Sequence, residues 1–162
     1  MLPGFALMLQ QVLRHLEVNT SGEGFTDLTA ALNREIGASG LATGLALLSS
    51  LHTSCSLTIN ENADPRVLVD LTAYLRALVP REGTRPLSGQ GALRPYVHDD
   101  EGPDDMPAHI RTALTCTSLS LSFHHGRLVL GTWQAVYLWE HRARSQRRTL
   151  SLHLLGAPED VA

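Results

Sequence analysis

The chain has 162 residues, a formal charge of −3 and only two cysteines, Cys55 and Cys116. That length can bury a core without metal or disulfide staples. The charge excludes the basic field of a nonspecific nucleic-acid binder, and the cysteines are too few for a secreted disulfide scaffold. No apolar run approaches the roughly 20 residues that cross a bilayer. The expectation is one domain over 1–162, cytoplasmic, with neither nucleic acid nor membrane as partner.

Residues 5–19 alternate apolar and polar side chains, most clearly at Val12, Arg14 and Leu16 against Leu13, His15 and Glu17, which predicts strand. Leu28, Leu32 and Ile36 recur at helical spacing after Thr26, and Gly37 with Gly40 supplies a stop, so about three turns of helix are expected. Residues 41–50 read as a buried strand. Asp64 is placed to cap a helix with Pro65 at its first position, and Val67, Leu71, Leu75 and Leu78 share one face until Pro80 ends it. Residues 81–95 hold three glycines and no apolar periodicity, which predicts an exposed loop. A densely acidic stretch, 98–105, follows. Pro107 then opens a helix in which Met106, Ile110, Ala113 and Leu114 face the core. From Ser118 the period changes to two, through Leu119, Leu121 and Phe123. A turn is expected at His124-His125-Gly126 and further strands over 134–142 and 147–154, giving a C-terminal β-meander. Helices and strands without a regular βαβ repeat predict an α+β fold.

Eight histidines stand against eight aromatic residues, an unusual ratio, and histidine is both the commonest metal ligand and the side chain poised near neutral pH. Reactive residues concentrate in 52–64, 98–109 and 134–142. In the first, His52 follows a strand, and Asn60, Glu61 and Asp64 are expected on the loop leading to a helix N-terminus, where N–H groups favour anions. For Asp64 the simpler reading is an ordinary N-cap, the usual job of Asp before Pro. In the second, His98 precedes five acidic groups, and His109 is expected in the first turn of a helix, whose positive end holds an imidazole neutral. His52, His98 and His109 would give three imidazoles, the number that leaves zinc an open position. The carboxylates of Asp99, Asp100, Glu101, Asp104 and Asp105 are the oxygen donors that suit magnesium, or else a solvated acidic loop. In the third, Gln134, Glu140 and Arg142 share one strand face by parity.

The runs H-T-S-C-S-L-T-I-N-E-N-A-D-P (52–65), Y-V-H-D-D-E-G-P-D-D-M-P-A-H-I (96–110) and L-G-T-W-Q-A-V-Y-L-W-E-H-R (130–142), in that order and with E-G-F-T-D-L from Glu23, resemble the signatures of the YjbQ-like family, also labelled secondary thiamine-phosphate synthase. The resemblance implies a compact α+β subunit with antiparallel-rich sheets, a homotrimer, and site residues gathered near subunit boundaries. The family's motif positions fall on His52, Asn60, Glu61, Asp64, Asp70, His98, Glu101, Gly102, Asp104, His109, Gly131, Gln134, Glu140 and Arg142. His52, His98 and His109 then become metal ligands. Glu61, Glu101, Asp104, Gln134 and Glu140 become the catalytic candidates, and Asn60, Arg142 and Arg147 the substrate or anion binders. Departures occur at Thr115-Cys116, where Leu-Gly is usual, at Ser122 in place of proline, and at Ala135 in place of glycine.

The implied reaction joins a hydroxymethylpyrimidine diphosphate to a thiazole phosphate, with a divalent cation neutralising the leaving group, zinc first and magnesium suiting the diphosphate. A lysine-bearing phosphate cradle is absent, for the chain has no lysine, so this reads as a secondary activity. The alternatives are a metal-dependent hydrolase or lyase of a small phosphorylated metabolite and a noncatalytic trimeric metabolite- or anion-binding module.

Overall fold

The computed structural model describes residues 9–86 and 88–158. In chain order the elements are β1 (Gln10–Asn19), β2 (Gly24–Asp27), α1 (Thr29–Gly37), β3 (Leu41–Ser50), β4 (Cys55–Glu61), α2 (Pro65–Leu78), α3 (Asp105–Leu114), β5 (Ser118–His124), β6 (Arg127–Leu128), β7 (Gln134–Glu140) and β8 (Arg147–Pro158). The strands make two antiparallel sheets, ordered β1-β8-β3-β5-β6 and β2-β7-β4, and with three helices the class is α+β. No described helix is long and apolar enough to cross a membrane.

Period-two alternation explains how the sheets meet. Ala46 and Leu48 of β3, Leu121 and Phe123 of β5, and Leu150, Leu152 and Leu154 of β8 are buried on one face of the larger sheet. They join Leu57, Val136 and Leu138 of the smaller sheet and Leu28, Leu32 and Ile36 along α1 in one core. Each buried leucine contributes roughly 1.5–3 kcal/mol relative to exposure. Gly44 and Gly156 pair directly across β3 and β8, and a Cβ on either would collide with the opposing backbone and the Phe123 ring.

The structure departs from the sequence expectations in particular places. Residues 55–61 form a strand, so Asn60 and Glu61 lie in β4 and not in a loop. The apolar positions Cys55, Leu57 and Ile59 alternate as a strand requires, but four polar residues between and after them mask the pattern. β2 was hidden in the same way by its shortness. The C-terminal strands are no meander: β5 and β6 close a hairpin through His125 and Gly126, both at positive φ as a type I′ turn demands, and β7 then crosses to the other sheet. α3 starts two residues before Pro107 and buries Asp105, Ala108, Arg111 and Thr112, leaving Ala113 and Leu114 exposed. Polar partners override the apolar stripe: Arg142, just beyond β7, pairs with Asp105, and Glu23 with the Val79 carbonyl takes Arg111. On α2, Asp64 caps as expected by accepting from the Arg66 N–H, but only Leu75 is buried and Leu78 is exposed.

Candidate functional site

The acidic stretch 98–105 is folded onto the start of α3. Asp105 opens the helix and His109 follows four residues later, so both project from one helix face. His98 arrives from the preceding loop. Its Nε2 stands 2.8 Å from Asp105 Oδ2, and His109 Nε2 stands 3.6 Å from Asp105 Oδ1. The two rings are 5.4 Å apart between centroids. One donor atom from each of the three residues lies within 4.8 Å of the others.

The hydrogen-bond pattern sets which atoms are free. His109 Nδ1 is 2.9 Å from the carbonyl oxygen of Thr53, which can only accept, so Nδ1 carries a proton and, in the neutral ring, Nε2 is the nitrogen with the lone pair. Asp105 is 2% exposed, and its Oδ2 has no hydrogen-bond partner although His98 Nε2 is close, because the two are not aligned for a bond. A buried carboxylate oxygen facing an imidazole nitrogen at this distance is an arrangement that either a shared proton or a bound cation would satisfy. This donor set, two imidazoles and a carboxylate, fits a divalent metal such as zinc. The cluster is open to solvent on one side, where His98 is 49% exposed.

Arg142 holds the other side of the cluster. Its Nη1 is bonded to Asp105 Oδ1, its Nε donates to Asp104 Oδ2 at 3.1 Å, and its Nη2 donates to the Glu101 carbonyl at 2.9 Å. The Glu101 carboxylate lies 3.6 Å from Nη1 and is largely in solvent. Asp104 also accepts from the Ala143 N–H at 2.8 Å. Burial by itself would raise the Asp104 pKa, but the Ala143 N–H and the Arg142 guanidinium outweigh it and hold the carboxyl below its usual range. Gly102, at φ +110, makes the turn that brings Glu101 and Asp104 to the same guanidinium.

The expected third imidazole is elsewhere. His52 Nε2 accepts the Thr149 N–H at 2.8 Å, so that lone pair is committed to β8, and His52 is outside the donor cluster. Burial, followed by the Arg148 charge, holds its pKa below the ordinary histidine value. Its neighbour Thr53 nevertheless touches the cluster through His109. His109 itself sits in the second turn of α3, so its tautomer comes from the Thr53 carbonyl and not from a helix end.

Glu140 is fully buried and has no free oxygen for catalysis. It takes a two-point ion pair from Arg148 at 2.6 and 2.8 Å, a hydroxyl from Thr20 at 3.0 Å, and the N–H groups of His141 and Arg142. Arg148 also donates to Ser54 Oγ at 3.0 Å. Glu61 pairs with Gln134 at the far end of β4 and β7, and Asn60 accepts the Glu61 N–H. At about 3.3 Å per strand residue Glu61 is roughly 20 Å from Cys55 at the opposite end of β4, and Asn60, Glu61 and Gln134 are outside the donor cluster. Gln134 Oε1 instead accepts from the Gly131 N–H at 2.8 Å. Arg147, 74% exposed, is paired with Glu17 on the surface. A concavity of about 640 Å³ between α1 and the β5–β6 turn contains none of these residues.

Among the five carboxylates named for magnesium, Asp105 is the one that spacing could have set apart, since D-x-x-x-H places both side chains on one helix face. Arg148 had no sequence signal, being one of two adjacent arginines at the edge of a strand.

Fold and cluster together define an α+β protein of two antiparallel sheets with an imidazole and carboxylate group at the start of a helix. The family model described as UPF0047 protein YjbQ-like matches residues 14–157, and the chain belongs to that family. It is 45% identical over 141 residues to the UPF0047 protein sll1880 of Synechocystis, covering 87% of this chain and 89% of that one. The UPF0047 protein YjbQ of Salmonella typhimurium is 38% identical over 144 residues, covering 88% and 96%. Among solved structures, the conserved hypothetical protein TT1486 of Thermus thermophilus is similar with a TM-score of 0.71 and 36% identity, over 87% of this chain and 98% of that one. A YbjQ-like protein of unknown function from Sulfolobus solfataricus shares the fold, with a TM-score of 0.76 at 19% identity over 92% and 99%.

Proposed function

We propose that His98, His109 and Asp105 hold one divalent cation and that the protein is a metal-dependent catalyst acting on a small phosphorylated metabolite, as a hydrolase or lyase. The observation that carries this reading is the buried, unpartnered Asp105 Oδ2 beside two imidazole nitrogens. Imidazole donors favour zinc over magnesium, and three protein ligands leave a position for substrate or water. A bound cation would supply Lewis acidity to an oxygen placed at that position.

The chain's own residues arrange the rest. Thr53 fixes the His109 tautomer, and Arg142 fixes the rotamer of Asp105. Glu101, solvent-exposed and tied to Asp105 through Arg142, is assigned as the general base. Asp104 acts through Arg142, as a positioning residue.

Protein purified without chelator should contain about one zinc per chain, and His98→Ala and Asp105→Asn should lose it. Metal-free protein that does not rebind zinc, or catalysis of phosphoester cleavage indifferent to zinc, would remove this assignment.

Thiamine-phosphate synthesis is the second reading and draws on the family resemblance. Arg142 and Arg147, the arginines assigned to the phosphates, are each already paired with carboxylates. The test is steady-state turnover of the two precursors by wild type and His109→Ala. Association as a homotrimer is proposed with it. Leu13, Leu45, Leu47 and Leu155 are all exposed on the outer face of the larger sheet, in adjacent register across β1, β8 and β3, an apolar patch suited to burial against another copy. Sedimentation equilibrium should return three times the chain mass.

A further inference from the structure

A second charged cluster shares no residue with the first. The Glu23 carboxylate is surrounded by three guanidiniums. Arg76 donates through Nε and Nη2 to Oε2 at 2.9 and 2.8 Å, Arg111 Nη1 donates to Oε1 at 2.7 Å, and Arg81 Nη2 stands 3.8 Å from Oε2. Arg76, Arg81 and Arg111 line a cavity of about 410 Å³ together with Pro80 and Glu82. Pro80 is held in place by the Tyr96 hydroxyl, which donates to its carbonyl at 3.0 Å.

One carboxylate cannot use the donors offered. Each guanidinium has five N–H groups in a planar fork. The Arg111 side chain is 2% exposed, spends Nη2 on the Val79 carbonyl at 2.9 Å, and has Nε buried without a partner. Arg81 has no hydrogen bond among the described residues. Counting Glu82 as well as Glu23, three guanidiniums face two carboxylates, so the cavity keeps an excess of positive charge. Burial holds the Arg111 pKa below its usual value despite Glu23, which is the situation an additional anion would relieve. Arginine forks match tetrahedral oxyanions two oxygens at a time.

We infer that this cavity is an oxyanion site that takes a phosphate group, free or as a phosphomonoester, between Arg81 and Arg76, with Arg111 and Glu23 as a fixed floor. A cavity of this size accommodates the phosphate and a small organic substituent. The site requires no metal and stands independently of the proposed cation centre.

The test is calorimetric titration of the full chain, freed of metal with chelator, against inorganic phosphate and separately against phenyl phosphate. Saturable binding of either is expected, weakened at least tenfold by Arg81→Gln and by Arg76→Gln, both exposed positions whose loss leaves the core intact. Arg66→Gln, on the exposed start of α2, should leave the affinity unchanged. Tighter binding of phenyl phosphate identifies the ligand as a phosphomonoester, and saturation by inorganic phosphate alone identifies it as the free ion. Failure of both probes to saturate, or equal weakening by Arg66→Gln, would overturn the assignment.

Discussion

The carbonyl of Thr53 accepts the Nδ1 proton of His109 across 2.9 Å, and both neighbours of Thr53 are tied to β8. His52 accepts the Thr149 N–H on one side, and Ser54 is held by Arg148 on the other. The loop that orients His109 is therefore fixed by residues that do not touch the cluster. Partners of this kind set ligand orientation and change metal affinity by about 10–100-fold when removed. His52→Ala is expected to weaken zinc binding by about tenfold while leaving one ion per chain at saturation. Titration with a competing chelator reads both numbers. Loss of the stoichiometric ion would instead make His52 a direct ligand, as the three-imidazole expectation had it.

Arg142 is the only described side chain bonded to Asp104 and Asp105 together. Removing the guanidinium leaves the buried Asp105 carboxylate without a cation, and breaking a buried pair from one side costs about 3–5 kcal/mol. Because Arg142 is partly exposed, Arg142→Gln should fall near the lower end, about 3 kcal/mol, in urea unfolding of metal-free protein. Zinc should recover part of the loss if the ion neutralises the same carboxylate. Identical destabilisation with and without zinc would separate Asp105 from the cation.

The core was legible in the sequence because alternation along β3, β5 and β8 and the Leu28, Leu32, Ile36 spacing of α1 follow single periods. His98, His109 and the acidic stretch between them stood out in the sequence by residue type, and the fold brings both imidazoles to one of those carboxylates. What could not be read was pairing across long separations. Nothing local says that Glu140 meets Arg148 in the interior, that the lone pair of His52 is taken by the Thr149 N–H, or that Asp105 alone among five carboxylates is buried. The D-x-x-x-H spacing carried part of that last fact, but an acidic run at a helix start is ordinarily solvated, so its composition argued the other way.

Glu140 tests the difference between a catalytic and a structural carboxylate. Glu140→Gln leaves Arg148 buried and uncompensated, and should cost about 3–5 kcal/mol in chemical denaturation. Replacing the pair together, Glu140→Leu with Arg148→Met, should recover most of that loss, since apolar residues of similar volume often substitute for a buried ion pair without penalty. Wild-type stability of Glu140→Gln combined with abolished turnover would restore a catalytic role to this residue.

The pH dependence of stability has a sign fixed by His141. Its ring is buried beside Trp139 with Nε2 2.8 Å from Ser56 Oγ, and burial, reinforced by the Arg111 and Arg148 charges, pushes its pKa down to about 3. The unfolded chain titrates this ring near 6.5. Between those values the unfolded state binds a proton that the folded state refuses, so stability rises with pH across the window, is complete above about 6.5 and is lost progressively on acidification. One such group gives a slope of up to about 1.4 kcal/mol per pH unit. His52, also depressed, adds in the same direction, whereas the Asp104 contribution is lost only at lower pH, as its carboxyl protonates. Urea unfolding of metal-free protein at pH 7, 6 and 5 should therefore show falling stability. His141→Gln, which cannot titrate, should reduce the slope between pH 6 and 5 by roughly one proton's worth. An unchanged slope in that variant would mean that the folded protein admits a proton to His141 as readily as the unfolded chain does.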